Sequence, residues 1–271
     1  MLLKPKKLNL ATGGPLVVLM HEKDTKKLEL AALDRIKLQK GEKIINVLLD
    51  TTPKQSRIKP GEIGFFDETV ESIGLPKKIK ISPSQTPVSI EAIRKKLDGE
   101  ELSKKEIESV IADLISNSLI DIEVAYFVAG CYSMGLTDKE VTYLTKATVK
   151  KSERLKLNKK IIADKHCIGG VPNNRTSMLV TPILAAAGLT IPKTSSRAIT
   201  SPSGTADTME VLAKIKFNTK EIKEIMNKAN GCLVWAGSLD ISGADTRLIK
   251  VRHPLRLDPT GLLLASILSK K

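Results

Sequence analysis

The sequence of 271 residues is poor in aromatic residues and contains no long apolar run. Phe, Trp and Tyr together make up 3% of the chain, so stacking platforms for single-stranded nucleic acid are scarce. No apolar run approaches the roughly 20 residues that cross a bilayer, so we expect no membrane-spanning helix. We also expect no secretory signal peptide, because the first residues (MLLKPKKLNL) lack an apolar stretch and a cleavage site.

Cysteine is also scarce, and its positions exclude two kinds of framework. The three cysteines, Cys131, Cys167 and Cys232, are odd in number and widely spaced. A disulfide framework and a zinc site are therefore not expected, and a reducing cytoplasm fits the sequence. We therefore expect a cytoplasmic protein. No motif for a metal or an organic cofactor is present, so we expect the protein to use neither.

The charge is strongly positive and unevenly distributed. The chain is 41% hydrophobic and 27% charged, which is globular composition, and its length predicts two or three domains. The net charge of +14 divides into +6 for residues 1–83, −1 for residues 84–157 and +9 for residues 158–271. Such a charge is typical of nucleic-acid binding, but a small substrate that bears phosphate explains the basic last third equally well.

The first part of the chain has the pattern of a β-rich domain. Short apolar runs at 16–20, 44–49 and 79–81 are separated by glycine-containing turns. This pattern fits a small barrel or a sandwich, and a punctuated linker follows at 82–87. The predicted division of the whole chain is a β-rich domain at 1–84, a helical domain at 85–157, an incomplete α/β domain at 158–244 and a returning helical segment at 245–271.

The second part of the chain predicts a helical bundle. Ser103 with Glu106, and Thr137 with Glu140, each have the spacing of a capping box, in which a hydroxyl and a carboxylate satisfy each other's backbone N–H groups. Apolar residues at 107, 110, 111 and 114 repeat with helical spacing. We expect packing rather than chemistry from most of this domain, and we expect His21 and His253 elsewhere in the chain to lie on the surface.

After residue 158, predicted strands alternate with predicted helices. Strands are predicted at 161–163, 189–191 and 232–235, and helices at 178–187, 205–213 and 220–230. Such alternation indicates a parallel α/β sheet. The pair Asp258-Pro259 then opens a final apolar helical segment.

Two segments in this last third have the composition of a phosphate site. The first, Asp-Lys-His-Cys-Ile-Gly-Gly-Val at 164–171, lies where a strand gives way to a helix, and its glycines would let backbone N–H groups approach an anion. It matches neither the Walker pattern nor the dinucleotide fingerprint, and a plain tight turn is an equal alternative. In the second segment, 194–205, seven of twelve residues are hydroxylic and one is arginine. A solvent-exposed Ser/Thr loop is the alternative there.

These motifs resemble those of the thymidine (pyrimidine-nucleoside) phosphorylase family. The resemblance is carried by Asp-Lys-His-X-X-Gly-Gly-Val at 164–171, Thr-Ser-Ser-Arg-Ala-Ile-Thr-Ser at 194–201 and Ser-Gly-Thr-Ala-Asp at 203–207. The segment 187–201, with Gly-Val-Pro at 170–172, Cys-Leu-Val-Trp at 232–235 and Leu-Asp-Pro at 257–259, is closer still to the archaeal-type AMP phosphorylases. The similarity extends over nearly the whole chain.

The resemblance implies a fold, a reaction and a set of site residues. The fold would be multidomain α+β and α/β, with a partial parallel α/β domain of the nucleoside phosphorylase class II type. The reaction would be phosphorolysis of AMP, or of other nucleoside 5′-monophosphates as in related members, to the free base and ribose 1,5-bisphosphate. AMP and phosphate would be the ligands. With few aromatic residues and no long apolar run, we expect neither a nucleic-acid partner nor a membrane partner. By resemblance, the chain would form a homodimer or a higher homo-oligomer.

The implied residues have distinct roles. Asp258 would be the proton donor, and Lys165, Ser195 and Thr205 would hold the attacking phosphate. His166 and Lys270 would lie at the base. The residues that would contact AMP are Gly170, Ser196, Arg197, Ala198, Ile199, Thr200, Ser201, Thr205 and Ser266.

Each role has a structural alternative. Asp258 followed by Pro259 is also the pattern of a helix start, and an N-cap would lower the pKa of the carboxyl group against an acid role. Ser266 and Lys270 share one helix face and could form an ordinary amphipathic helix end. His166 could cap a strand end.

The sequence also departs from the family pattern. Cys167 stands where serine is common, Asn173 replaces a glycine, and Pro202-Ser203 replaces two alanines. Relatives continue well past Lys271, so we expect a chain truncated within its α/β domain, with one AMP-binding lysine beyond its end. Two other functions therefore stay open: a truncated protein that binds nucleotide or RNA without turnover, and a phosphorylase of nucleosides that lack the 5′-phosphate.

Overall fold

The computed structural model describes residues 1–53, 57–152, 155–166, 175–198, 203–238 and 243–270. The chain divides into two compact units. The first contains Met1–Val88 with Asp113–Ile120, and the second contains Ser89–Ala112 with Asp121–Lys271. In the described part of the chain, no helix is long and apolar enough to cross a bilayer.

The first unit is built on a closed six-stranded β-barrel, which decides between the barrel and the sandwich that the sequence left open. The strands follow the spatial order β1-β5-β2-β4-β3-β6, and β1–β5 and β2–β4 are the parallel pairs. Because the barrel closes, no strand of it keeps an unpaired edge. The strands are β1 (Leu2–Lys7), β2 (Val17–His21), β3 (Arg35–Lys40), β4 (Lys43–Thr52), β5 (Glu62–Phe65) and β6 (Ile79–Pro83), with two short helices, α1 (Glu22–Lys27) and α2 (Asp67–Ile73).

Alternating apolar side chains fill the barrel. Val18 and Met20 on β2, and Ile36 and Leu38 on β3, are fully buried, while their neighbours on the same strands are more exposed. This period of two is the pattern of strands with one face on a core.

His21 contradicts the expectation of a surface position. Its side chain is 3% exposed, and its Nδ1 accepts the backbone N–H of Lys23 at 3.1 Å. The ring thereby caps the N-terminus of α1, a role that hydrophobic periodicity does not reveal.

Four helices after the barrel form the bundle: α3 (Ser89–Leu97), α4 (Lys104–Ile115), α5 (Asp121–Met134) and α6 (Asp138–Lys151). Both predicted capping boxes form. The N–H of Ser103 donates to Glu106 at 2.6 Å, and the N–H of Thr137 donates to Glu140 at 2.8 Å. In each box the backbone N–H of the glutamate donates a hydrogen bond to the hydroxyl of the Ser or Thr.

A buried ion pair links α3 to the start of α6. Lys96 Nζ lies 2.9 Å from Glu140 Oε1, and both side chains are almost completely buried. Glu140 also accepts the N–H groups of Leu102 and Thr137. Burial acts to raise the pKa of Glu140, but these hydrogen bonds and the charge of Lys96 outweigh it, so the pKa is lowered.

The α/β part has a parallel pair of strands flanked by helices. Strand β7 (Ile191–Ser195) pairs with β8 (Gly231–Trp235), and the helices are α7 (Thr176–Ala186), α8 (Thr205–Glu210) and α9 (Thr219–Ala229). The predicted strand at 161–163 is wrong, because only Ile162 forms a bridge, with Thr190, and Ile161 is 62% exposed. Strand β7 begins later than predicted, because the N–H of Leu189 donates a hydrogen bond to the carbonyl of Leu184 near the end of α7.

The last two helices pack against the bundle. Helix α10 (Gly243–Arg252) lies against α5, and α11 (Thr260–Ser269) lies against α6. Asp121, the first residue of α5, pairs with Arg247 and Lys250 of α10. Gly261 allows α11 to approach closely, because a Cβ there would meet the Cβ of Leu136 at 2.7 Å.

Candidate active site

The described part of the first candidate segment is Asp164, Lys165 and His166, and Asp164 accepts or shares hydrogen bonds with both of the others. His166 Nδ1 lies 3.0 Å from Asp164 Oδ2, and the N–H of Lys165 donates to Asp164 Oδ1 at 2.8 Å. Lys165 Nζ donates to the buried Ser177 hydroxyl in the first turn of α7 at 3.3 Å. Gly170, with Cys167 and Asn173, lies outside the described residues.

The second candidate segment begins at the end of β7. Ser195 is the last residue of the strand, is 7% exposed, and donates to the carbonyl of Ser196 at 3.1 Å. The bridge between Ile162 and Thr190 is parallel, so the segments that carry Lys165 and Ser195 run in the same direction. Ligands of parallel α/β sheets bind where strands end in this way. Ile199, Thr200, Ser201 and Pro202 lie outside the described residues.

Arg197 has carboxylate partners on both of its terminal nitrogens. Nη1 lies 2.8 Å from Asp207, and Nη2 lies 2.7 Å from Glu210. These two carboxylates raise the pKa of Arg197. The guanidinium also lies over the ring of Trp235, at 4.9 Å from its centroid.

A second group of predicted residues lies between α10 and α11. Lys270 Nζ lies 2.7 Å from Asp245 Oδ2 and donates to Ser266 Oγ at 2.9 Å. Lys270 and Asp245 are 8% and 5% exposed in their side chains. The pair Ser266 and Lys270 therefore faces α10 rather than solvent, so it is not an ordinary amphipathic helix end.

Asp258 does not cap α11. The N-cap is Pro259, which has no side-chain hydrogen bond, and the helix begins at Thr260. Asp258 Oδ1 is buried and has no hydrogen-bond partner among the described residues. The capping alternative is therefore wrong, because the extended backbone of Pro259 takes the cap position.

Arg252 lies in the same region and has unsatisfied donors. Its side chain is 1% exposed, and neither Nε nor Nη1 has a hydrogen-bond partner within the described ranges. Burial lowers the pKa of Arg252, while the charges of Asp245 and Asp258 oppose that shift. Buried guanidinium nitrogens without acceptors are costly, and ligand oxygen or nitrogen atoms would relieve that cost.

Sequence reasoning missed Arg252, Asp245 and Asp207. Arg252 and Asp245 are two helical turns apart on α10 and so share a face, which was the available signal. Burial raises the pKa of Cys131 to about 12 and that of Cys232 to about 11, so both described thiols stay protonated at neutral pH. Among the described residues, no group of His, Cys, Asp and Glu could hold a metal ion.

Comparison with protein families identifies both parts of the second unit. The model of the glycosyl transferase family helical bundle domain matches residues 90–152, and the model of its a/b domain matches residues 159–257. The chain belongs to this glycosyl transferase family. The α-helical and α/β parts of the predicted fold are thereby confirmed. Anthranilate phosphoribosyltransferase from Thermus thermophilus has a similar fold, with a TM-score of 0.58 at 21% identity over 66% of this chain and 55% of that chain.

Curated relatives extend the similarity over nearly the whole chain. An AMP phosphorylase of Thermococcus kodakarensis is 42% identical over 96% of this chain and 51% of its own length. AMP phosphorylase 1 of Archaeoglobus fulgidus is 39% identical over 96% of this chain and 51% of its own length. The AMP phosphorylase of Methanosarcina barkeri is 40% identical over 94% of this chain and 50% of its own length. The resemblance seen in the motifs is confirmed, and the chain spans about half the length of these relatives.

Proposed function

We propose that this chain is a pentosyltransferase that cleaves AMP with inorganic phosphate to give adenine and ribose 1,5-bisphosphate. The observation that carries the proposal is the group of Arg252, Asp258, Ser266 and Lys270, in which the buried atoms Arg252 Nε, Arg252 Nη1 and Asp258 Oδ1 lack protein partners within the described residues. The similarity to AMP phosphorylases supports the choice of substrate.

In this reaction Asp258 is the proton donor. Phosphate attacks C1′ while the base leaves, so the sugar gains positive charge and the departing purine gains negative charge. A carboxylic acid that protonates the purine neutralises that charge, which typically contributes 10²–10⁴ in rate. Asp258 Oδ1 suits this task because it makes no hydrogen bond within the described chain. Ser266, Lys270 and Arg252 offer donors to the base.

The attacking phosphate is assigned to Lys165, Ser195 and Thr205. The ammonium and hydroxyl groups position the dianion and lower the entropic cost of bringing it to C1′. Asp164 holds the ring of His166, which is assigned to the base. The excess of basic residues after residue 158 favours two phosphate groups in one closed complex.

The remaining assignments rest on the family resemblance. Ser196, Ala198 and Thr205 contact AMP, as do Gly170, Ile199, Thr200 and Ser201 outside the described residues. Arg197 belongs to the same run, and its side chain already has two carboxylate partners. The α/β part follows the nucleoside phosphorylase class II arrangement, and the protein works as a cytoplasmic homo-oligomer without a cofactor.

The test is the release of free adenine from AMP by the purified chain, with and without phosphate. The proposal predicts adenine and ribose 1,5-bisphosphate in equal amounts, and only when phosphate is present. Adenosine and thymidine are the comparison substrates, because cleavage of these in place of AMP would assign a nucleoside phosphorylase. A chain that binds neither AMP nor phosphate contradicts the proposal.

A second function stays open from the sequence, namely binding of a nucleotide without turnover. In that alternative the chain binds AMP without turnover. Calorimetric titration of AMP beside the adenine assay separates the two, because binding without adenine supports the alternative. A steep salt dependence of RNA binding would instead assign a nucleic-acid ligand.

A further inference from the structure

The carboxylate of Asp207 joins three groups around the second candidate segment. Its Oδ2 accepts the backbone N–H of Ala198 at 2.8 Å and that of Gly204 at 2.9 Å, and its Oδ1 accepts Arg197 Nη1 at 2.8 Å. One side chain therefore holds the chain on both sides of the residues between Ala198 and Gly204. Burial acts to raise the pKa of Asp207, but the hydrogen bonds and the charge of Arg197 outweigh it, so the pKa is lowered and the group is ionised at neutral pH.

Arg197 is fixed in place by contacts other than Asp207. Its Nη2 lies 2.7 Å from Glu210. Its guanidinium lies over the ring of Trp235, 4.9 Å from the ring centroid, and Lys216 Nζ lies over the same ring at 5.7 Å. With both terminal nitrogens on carboxylates, the guanidinium serves to hold Asp207 in position. Charge-assisted hydrogen bonds of this kind are about twice as strong as neutral ones.

Close backbone packing at Gly204 brings the two sides of the segment together. A Cβ at this position would lie 2.7 Å from the nitrogen of Ala198, 2.8 Å from the carbonyl carbon of Arg197 and 2.9 Å from the oxygen of Ser196. These are backbone atoms, so they cannot move aside as a flexible side chain would. Glycine is required here for space, and the approach gives Asp207 its two N–H donors at once.

We infer that Asp207 is a positioning residue, whose carboxylate fixes the Ala198 and Gly204 backbone and is itself held by Arg197. The inference rests on the proposed function, because the candidate ligands Ser195 and Ser196 precede this clamp and Thr205 follows Gly204 directly. Loss of the clamp frees both sides of the segment and weakens AMP binding. Glu210 has a different role, since it contacts Arg197 and, in the described structure, no backbone N–H of the segment.

The test compares three variants of the full chain. Asp207→Ala removes the clamp and one partner of Arg197, and Glu210→Gln is the matched control that removes only a charge partner of Arg197. Asp207→Asn keeps an amide oxygen for the two N–H groups but turns an NH₂ group towards Arg197. Asp207→Asn replaces Asp207→Ala in the test if circular dichroism and thermal unfolding show that Asp207→Ala does not fold.

Two readouts are used. Hydrogen exchange of the Ala198 and Gly204 amides, followed by NMR, reports on the clamp without any ligand. Fluorescence of Trp235, the only tryptophan, reports AMP binding. We expect Asp207→Ala to lose protection at both amides and to weaken AMP binding by about tenfold or more, since hydrogen bonds to charged groups contribute this much. We expect Glu210→Gln to keep the protection and to change affinity by less than about threefold.

Each outcome bears on a different claim. The inference is overturned if the Asp207→Ala chain binds AMP as tightly as the wild type. It is also overturned if Glu210→Gln weakens AMP binding as much as Asp207→Ala does. Both results leave the proposed function intact. Unchanged amide exchange in Asp207→Ala also overturns it. A wild-type chain that binds no AMP overturns the proposed function and, with it, the role assigned to Asp207.

Discussion

Two buried lysine–carboxylate pairs in the second unit differ in how completely their polar atoms are satisfied. Lys96 meets both oxygens of Glu140, which also accepts the N–H groups of Leu102 and Thr137. The pair of Lys270 with Asp245 has a different neighbourhood, in which Arg252 is buried with two nitrogens that lack partners among the described residues.

The difference separates a structural pair from a ligand site. Buried polar groups are normally hydrogen-bonded, so a network with every member satisfied rigidifies the fold and leaves nothing for a ligand. A network with unused donors and acceptors gains most when a ligand supplies the missing atoms. The Lys96 pair therefore belongs to the architecture of the bundle, and the Lys270 group fits the substrate site that we propose.

The largest effect on stability is expected from Glu140→Ala. The substitution leaves Lys96 buried without its partner and two N–H groups without an acceptor, which costs about 3–5 kcal/mol in the free energy of unfolding. Urea unfolding measures this loss. Glu106→Ala is the control, because it removes the exposed capping box of α4 and costs about 1 kcal/mol. Equal losses in the two variants would contradict the distinction.

A smaller effect, measured on binding, is expected from Lys270→Met, which also leaves Asp245 without its lysine partner. The substitution removes a donor from the site, so AMP affinity falls about tenfold, as measured by calorimetric titration. Lys96→Met is the matched control and keeps the wild-type affinity within about threefold at a temperature where it is folded. If Lys96→Met weakens AMP binding and Lys270→Met does not, the comparison fails.

The smallest effect is expected from Glu68→Gln on α2 of the first unit. Glu68 accepts hydrogen bonds from the N–H groups of Thr12 and Gly13. These hydrogen bonds lower the pKa of Glu68 from 4.5 to about 2, and the one from Thr12 has the largest effect. Because the folded pKa is the lower one, the contribution of Glu68 is complete above pH 4.5 and is lost as the pH falls towards 2. The variant should lose less stability than the wild type across this window in thermal unfolding, and an unchanged slope would contradict this cause.

Local features of the fold follow from the sequence, whereas features that depend on distant contacts do not. The capping boxes at Ser103 and Thr137 involve residues within one helical turn, so their spacing is sufficient. The segment 161–163 has strand-like residues but forms only one bridge with Thr190, since pairing depends on the rest of the sheet.

The candidate site shows the same division. The motifs that carry Lys165, Ser195 and Thr205 are contiguous in sequence and could be read directly. The lack of partners at Arg252 and at Asp258 within the described structure is a property of packing between α10 and the start of α11, and no local pattern reports it. Asp258-Pro259 reads as a helix cap locally, and only the backbone at Pro259 shows that it is not.

The most direct test of the account is the rate of adenine release from AMP and phosphate by the wild-type and Asp258→Asn chains. Asparagine keeps the size of the side chain but cannot donate a carboxylic proton, so the account predicts a rate lower by about 10²–10⁴, with AMP affinity within about threefold of the wild type. An Asp258→Asn chain that releases adenine at the wild-type rate would contradict the account.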